Sequence, residues 1–141
     1  MFQISFVPVW IALRFFQSID YALNKQCPRC KNRFQCQVEN VANCQCSTVQ
    51  ITEATRQFLQ STNYDCLCSN CLSAINNLVQ FAAGHNFPKQ YESMIEGLHF
   101  YLEDGMFVFT ELYHLQRGYC CRNGCRHCAY GFLLSRQESK P

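Results

Sequence analysis

The sequence lacks the marks of an exported or membrane-spanning chain. No lysine or arginine precedes the apolar run at its start, and no small-x-small cleavage site follows it, so a secretory signal peptide is not indicated. A spanning helix needs about 20 consecutive apolar residues. The run here is broken by one proline and by polar or charged residues, namely Pro8, Arg14, Gln17, Ser18 and Asp20. We therefore expect no transmembrane segment and a cytoplasmic location.

Residues 1–26 form an apolar extension with three interpretations. The first is a helix from about Val9 to Leu23 that docks on the rest of the chain. Its docking side chains would be Trp10, Leu13 and Phe16. The second is a targeting peptide or a membrane-surface anchor, although the basic residues of such segments are missing. The third is that translation begins nearer Cys27. No function is assigned to this extension.

A surplus of positive charge is also missing. The formal net charge is +2, and three zinc sites of four thiolates each would add six positive and twelve negative charges, giving −4. The cations near the cysteines then offset thiolate charge; they are Arg29, Lys31, Arg33, Arg117, Arg122 and Arg126. A nucleic-acid-binding face needs a basic surplus, so this function is disfavoured.

What the sequence has in abundance is cysteine, with twelve among 141 residues. Modules below roughly 70–80 residues usually need a staple beyond their apolar core. Tight CxxC and CxC spacings favour metal, because a CxxC turn directs two sulfurs to one ion and a distant pair completes the tetrahedron. The alternative is a secreted disulfide scaffold, which would need an export signal. We predict a small metal-stapled α+β protein that binds zinc.

Residues 27–83 hold eight of the cysteines and are predicted to be a zinc-knuckle module with short strands and two helices. Phe34 and Cys36 alternate as residues on one face of a strand do. The same period places Cys44 and Cys46 on one face of an extended segment. A CxC unit can give both sulfurs to one metal only through a tight ring, and assigning Cys66 and Cys68 to different sites avoids one of the two rings.

Two helices are predicted in the second half of this module. Thr52 is a suitable N-cap for EATRQFLQ, in which Ala54 and Phe58 share one side. The segment LSAINNLVQFAA has apolar residues at helical spacing, and Gly84 follows it as a C-cap glycine would. We expect this second helix to start at the metal site.

Eight thiols suit two four-thiolate sites, and two partitions are open. The preferred one joins the two CxxC units in one site, Cys27, Cys30, Cys68 and Cys71. The second site is then Cys36, Cys44, Cys46 and Cys66. The alternative follows sequence order, with Cys27, Cys30, Cys36 and Cys44 against Cys46, Cys66, Cys68 and Cys71.

Residues 84–97 are predicted to be a polar linker, and residues 98–132 a C-terminal module with a β-hairpin, a short helix and a cysteine cluster. LHFYLEDGMFVFT contains two apolar strands about an Asp-Gly turn. Thr110 is predicted to cap the helix ELYHLQR, which ends at Gly118. Residues 133–141 are expected to be a frayed tail.

Four cysteines of the C-terminal module fall within nine residues: Cys120, Cys121, Cys125 and Cys128. One four-thiolate ion is the leading interpretation. Adjacent cysteines rarely share a metal, so His114 could replace Cys120 or Cys121 as a ligand, whereas His127 is expected to point outward. An iron–sulfur cluster on the four cysteines is the alternative.

The run CPRC…FQC…CQC…YDCLCSNCL, over about residues 25–76, resembles the cysteine-rich CWC family of small bacterial proteins. That family is named for a Cys-Trp-Cys tripeptide, and Gln45 takes the middle position here. Both sulfurs remain, but the aromatic ring that would help to bury the site is absent. The resemblance implies metal binding and no established activity.

The run YLEDGMFVFTELYHLQRGYCCRNGCRHCAYG resembles a small domain-of-unknown-function family built on FTELYHLxRGYCCxxGCRHCPYG, which is seen alone or fused behind the CWC module. Ala129 stands where that pattern has proline. A looser likeness to the oxidoreductase-like domain covers only CCxxGCxxC. Neither resemblance supplies a known reaction.

These observations favour a zinc-binding interaction module with an unknown protein partner. No general base, nucleophile elbow or phosphate loop is visible, so we do not expect an enzyme. One alternative is an iron–sulfur or thiol redox protein that uses the C-terminal cluster. Another is nucleic-acid binding through the basic knuckle NKQCPRCKNRFQC, with Phe34 stacking on a base.

Overall fold

The computed structural model describes residues 24–132 of the chain. The helix predicted between Val9 and Leu23 and the frayed tail predicted for 133–141 lie outside these residues. Within them, no helix is both long enough and apolar enough to cross a membrane. The described part is a small α+β structure with two short antiparallel sheets, as predicted.

The first sheet is a two-stranded ribbon that presents the first CxxC. Strand β1, Asn24–Gln26, pairs with β2, Arg33–Gln35, and Lys25 lies opposite Phe34. The turn between the strands is closed by a hydrogen bond from the Cys27 N–H to the Asn32 carbonyl, 2.8 Å. Lys31 adopts a positive φ of 65° in this turn. The CxxC is therefore held on a tight hairpin.

The segment after β2 corrects one prediction. Cys44 and Cys46 do not lie on an extended strand, because short 3-10 helices occupy Val38–Asn43 and Gln45–Thr48. Side-chain hydroxyls favour this tight winding. The Ser47 hydroxyl donates to the Cys44 carbonyl at 2.7 Å, and the Thr48 hydroxyl donates to the Gln45 carbonyl at 2.8 Å. The period-two pattern of CxC was misleading here.

Two helices form the core of the first module, and their predicted starts are confirmed. Helix α1 is Glu53–Gln60, and the hydroxyl of its N-cap Thr52 accepts a hydrogen bond from the Thr55 N–H. Helix α2 is Ser69–Ala83 and begins directly after Cys68. Its C-cap is Gly84, as predicted, but in a right-handed conformation with φ −84°.

A buried polar contact fixes α1 against α2. The Asn76 side-chain oxygen accepts from the Thr55 hydroxyl and from the Thr52 N–H, both at 2.9 Å. Thr55 is fully buried, whereas Ala54 is exposed, so the inward face of α1 is one residue away from the predicted one. A buried amide oxygen with two donors is well satisfied and orients the two helices.

The C-terminal module has the predicted hairpin and capped helix. Strand β3, Phe100–Glu103, pairs with β4, Met106–Phe109, around Asp104 and Gly105, which both have positive φ. Helix α3 is Glu111–Arg117. The Thr110 hydroxyl accepts from the Tyr113 N–H, and Gly118 ends the helix with φ 86°.

Residues 84–97 pack on the C-terminal module. They include a 3-10 turn, Tyr91–Ser93. The Tyr91 ring meets the Phe107 ring edge-on at 5.5 Å, and the Ile95 N–H donates to His99 Nδ1 at 2.9 Å. The predicted linker therefore makes specific contacts with the module that follows it.

The two modules contact each other at several points. The Asn63 N–H donates to the Tyr130 carbonyl at 2.8 Å, and the Tyr130 ring packs against Phe58 with centroids 5.3 Å apart. On the other side, the Gln116 amide donates to the His85 carbonyl at 2.8 Å. The two modules therefore pack against each other as one continuous structure.

Candidate metal centre

Four cysteines from two elements converge in the core of the first module. The Sγ atoms of Cys27, Cys30, Cys68 and Cys71 all lie within 4.8 Å of one another, and those of Cys30 and Cys68 are 3.6 Å apart. Four sulfurs around one zinc ion at about 2.3 Å have edges of about 3.8 Å. This group, called the tetrad below, therefore has the size of a tetrahedral thiolate site, and it is the group that the preferred partition joined.

The tetrad is integrated with the apolar core. Cys27 is 0% exposed, Cys68 and Cys71 are 8% exposed, and only Cys30 reaches the surface. The buried cluster around them includes Leu67, Ile75 and Val79. Partly buried side chains pack on it from both modules, namely Phe34, Phe58, Leu59, Tyr64 and Leu115. A cation held here would join the two knuckles at the centre of the fold.

The electrostatics of the tetrad favour a bound cation. Burial acts to raise the pKa of Cys27, but donation from the backbone N–H groups of Cys30, Cys68 and Arg29 lowers it to about 6. Burial raises the pKa of Cys71, and the neighbouring sulfurs of Cys30 and Cys68 raise it further. A divalent cation between them would remove this repulsion and stabilise every thiolate.

The other four cysteines of the first module form two pairs. The Sγ atoms of Cys36 and Cys66 are 3.8 Å apart, and those of Cys44 and Cys46 are 3.3 Å apart. The backbone N–H groups of Cys46 and Gln37 lower the pKa of Cys44 to about 7, and the nearby thiols of Cys46 and Cys36 contribute to this shift. The predicted second set is therefore brought together, though less tightly than the tetrad.

The C-terminal cluster, Cys120, Cys121, Cys125 and Cys128, also falls into two pairs. The Sγ atoms of Cys120 and Cys128 are 3.7 Å apart, and those of Cys121 and Cys125 are 3.3 Å apart. All four side chains are half-buried. Between residues 24 and 132, the tetrad is the only set of three or more cysteine, histidine or acidic ligand atoms that all lie within 4.8 Å.

The histidines do not join these sets. His114, the candidate replacement ligand, is 3% exposed and lies edge-on to Phe109 and Tyr113. Burial, with help from nearby Arg117 and His127, lowers its pKa to about 4. His127 hydrogen bonds through Nε2 to the Tyr101 hydroxyl at 2.9 Å. Both imidazoles therefore have positions explained by packing or hydrogen bonding.

Two supporting residues were not found from the sequence. The Gln45 amide donates to the Leu67 carbonyl at 2.9 Å, and its oxygen accepts from the Ser69 N–H at the start of α2. Arg29, inside the first CxxC, forms an ion pair with Glu111 at 2.6 Å. No local pattern reveals either contact, because the partners are far away in the sequence.

All twelve cysteines are free thiols, and no disulfide is present among them. Soft, deprotonatable sulfur donors are the ligands that zinc and iron–sulfur centres use. The tetrad residues therefore fit a thiophilic cation, with backbone N–H groups directed at Cys27 to support its thiolate form. The arrangement is that of a metal-binding protein.

Comparison with known families agrees with this chemistry. Residues 27–73 match the model of the family described as cysteine-rich CWC. Residues 89–133 match a family of unknown function, DUF5522. The second match begins within the segment predicted as a linker, which packs on the hairpin. No solved structure matches the chain.

Proposed function

We propose that this metal-binding chain, in which residues 27–73 match the cysteine-rich CWC family and residues 89–133 match DUF5522, is a zinc-stabilised interaction module. The observation that carries the proposal is the convergence of Cys27, Cys30, Cys68 and Cys71 within 4.8 Å. Zinc is the natural occupant, because four thiolates in a tetrahedron are a common structural zinc site.

The tetrad would act structurally rather than catalytically. Four protein thiolates complete the coordination of zinc, which leaves no position for water or substrate. Three of the four sulfurs belong to buried residues. Binding would then add to the free energy of folding directly, as in other small zinc modules. We propose a second structural zinc at Cys36, Cys44, Cys46 and Cys66.

Ion counting by native mass spectrometry, with elemental analysis for identity, tests this assignment. Cys27→Ser and Cys71→Ser should each lose one zinc ion, and the double variant should lose no more than either single one, because both cysteines serve the same ion. Adding Cys36→Ser to Cys27→Ser should remove a second ion. A double Cys27/Cys71 variant that loses two ions, or a wild-type chain without zinc, would contradict the proposal.

A protein partner is proposed for the apolar surface of the hairpin. Leu102 and Phe107 lie opposite each other across β3 and β4 and are 49% and 41% exposed. Tyr91, which contacts Phe107, is 57% exposed. Adjacent exposed apolar side chains of this size support an interaction surface.

A photo-crosslinking residue placed at Leu102 tests this surface in the cell. We expect a discrete protein adduct that weakens when Phe107→Ser is added. The same probe at Gln57, on the exposed side of α1, is the matched control and should give none. Equal adducts at the two positions would count against a hairpin partner.

Nucleic-acid binding has less support. Two cations of the basic knuckle already neutralise acids, since Lys25 Nζ lies 3.0 Å from Asp65 and Arg29 lies 2.6 Å from Glu111. Binding through phosphates would weaken steeply with salt. We expect no salt-sensitive binding to single-stranded RNA in a fluorescence anisotropy titration.

A further inference from the structure

The C-terminal cluster pairs its cysteines in a particular way. Cys120 lies with Cys128 at 3.7 Å, and Cys121 lies with Cys125 at 3.3 Å, measured between Sγ atoms. The adjacent residues Cys120 and Cys121 therefore belong to different pairs. No third sulfur lies within 4.8 Å of both members of a pair, in contrast to the tetrad.

This arrangement separates two kinds of metal centre. One tetrahedral ion needs all six sulfur–sulfur edges near about 3.8 Å, so it needs four mutually close sulfurs. A [2Fe–2S] cluster also takes four cysteines, with two on each iron and inorganic sulfide bridging the irons. Its cysteines form two close pairs that are set apart. The C-terminal cluster has the second pattern.

We propose that Cys120, Cys121, Cys125 and Cys128 bind a [2Fe–2S] cluster, with Cys120 and Cys128 on one iron and Cys121 and Cys125 on the other. This site is additional to the proposed zinc at the tetrad and does not depend on it. The pairing also solves the problem of the adjacent cysteines, because each gives its sulfur to a different iron.

The surroundings of the sulfurs suit such a group. The Arg117 guanidinium lies near Cys121, and the backbone N–H groups of Asn123 and Arg122 are directed at Cys121 and Cys120. An oxidised cluster with four thiolates carries a net charge of about −2, which a guanidinium and N–H donors stabilise. All four cysteines are half-buried, so iron and sulfide can enter from solvent.

The other set, Cys36, Cys44, Cys46 and Cys66, also forms two pairs, Cys36 with Cys66 and Cys44 with Cys46. A zinc ion there would draw the two pairs together. In the C-terminal cluster, the two adjacent residues Cys120 and Cys121 belong to different pairs, and adjacent cysteines rarely share one metal. The binuclear assignment is therefore made only for the C-terminal cluster.

Anaerobic purification of the full chain, followed by treatment with ferric iron and sulfide, tests the proposal. We expect about two irons and two acid-labile sulfides per chain, with visible absorption that dithionite bleaches by adding one electron. Cys121→Ser and Cys128→Ser should each lose the absorption. Met106→Ser, at an exposed position of the same module, is the control and should keep it.

The reduction potential of a further variant distinguishes a direct effect on the cluster from a general loss of folding. Arg117→Gln should retain the absorption but give a lower reduction potential, because the positive charge beside the Cys121 ligand, which stabilises the reduced cluster, is lost. An unchanged reduction potential would show that Arg117 does not lie beside the cluster, and would count against a cluster at these four cysteines. A chain that stays colourless after treatment with iron and sulfide, or one that binds iron without acid-labile sulfide, would overturn the proposal. Zinc measured in the same sample reports on the tetrad separately.

Discussion

Arg29 and Glu111 join the two family regions through an ion pair of 2.6 Å between Nη2 and Oε2. Arg29 lies in the first CxxC, beside two tetrad cysteines, and Glu111 is the first residue of α3. Both side chains are largely shielded, at 23% and 27% exposed. The second guanidinium nitrogen, Nη1, is buried without a hydrogen-bond partner. The position of the knuckle and that of α3 are therefore linked.

Glu111→Gln should destabilise the zinc-loaded protein by about 1–3 kcal/mol, because a shielded guanidinium loses its counter-charge. Glu103→Gln, which breaks the more exposed pair with Arg126, is the control and should cost less than about 1 kcal/mol. Urea unfolding measures both. Equal costs would mean that the interface pair has no special role.

Gln45→Ala should destabilise the protein by about 1–2 kcal/mol, because the N–H of Ser69 at the start of α2 and the Leu67 carbonyl lose their side-chain partner. Gln57→Ala, on the exposed side of α1, should change stability by less than about 0.5 kcal/mol. Thermal unfolding of the metal-loaded variants compares the two. A Gln45 variant as stable as the Gln57 variant would show that the contacts of Gln45 with Leu67 and Ser69 do not stabilise the fold.

Gly131→Ala should cost about 1–3 kcal/mol more than Gly97→Ala. Both glycines have positive φ, 68° and 80°, so both substitutions carry similar backbone strain. Only at Gly131 would the new Cβ lie 2.8 Å from the Tyr64 ring, whereas Gly97 faces open space. Chemical denaturation gives the difference. Equal losses would show that the Tyr64 contact can relax freely.

Acid should destabilise the wild-type protein more than His114→Gln. The pKa of His114 is lowered to about 4 by burial, aided by Arg117 and His127, against about 6.5 in an unfolded chain. The unfolded state therefore takes up the proton first. The stability from neutral His114 is present above about pH 6.5 and is lost as the pH falls toward about 4.

Between about pH 7.5 and about pH 5, this linkage predicts about 2 kcal/mol of extra loss in the wild-type free energy of unfolding. Acid also weakens metal binding, and the comparison between variants cancels that shared effect. An NMR titration of the His114 ring checks the pKa directly. Parallel pH profiles for the two proteins would contradict the linkage.

Much of the local structure could be predicted because its causes are local. Thr52 and Thr110 cap helices with their own hydroxyls, and Asp104-Gly105 has the backbone freedom that a tight hairpin requires. The grouping of Cys27 and Cys30 with Cys68 and Cys71 followed from the geometry of two CxxC turns.

What could not be predicted depends on partners far away in the sequence. The alternation in CQC suggested an extended segment, but Ser47 and Thr48 hydroxyls stabilise a 3-10 turn there. Thr55, rather than Ala54, faces inward because Asn76 of the next helix offers an acceptor. Sequence periodicity carries no record of such contacts.

The hydrogen bond between Asn63 and Tyr130 has a consequence for biosynthesis. Tyr130 leaves the ribosome long after α1 and α2, so Phe58 and Tyr64 stay open to water until the last part of the domain arrives. Exposed apolar surface on a nascent chain invites association with other chains. Early binding of an ion by the two CxxC turns would restrict the conformations that the nascent chain can adopt during that interval.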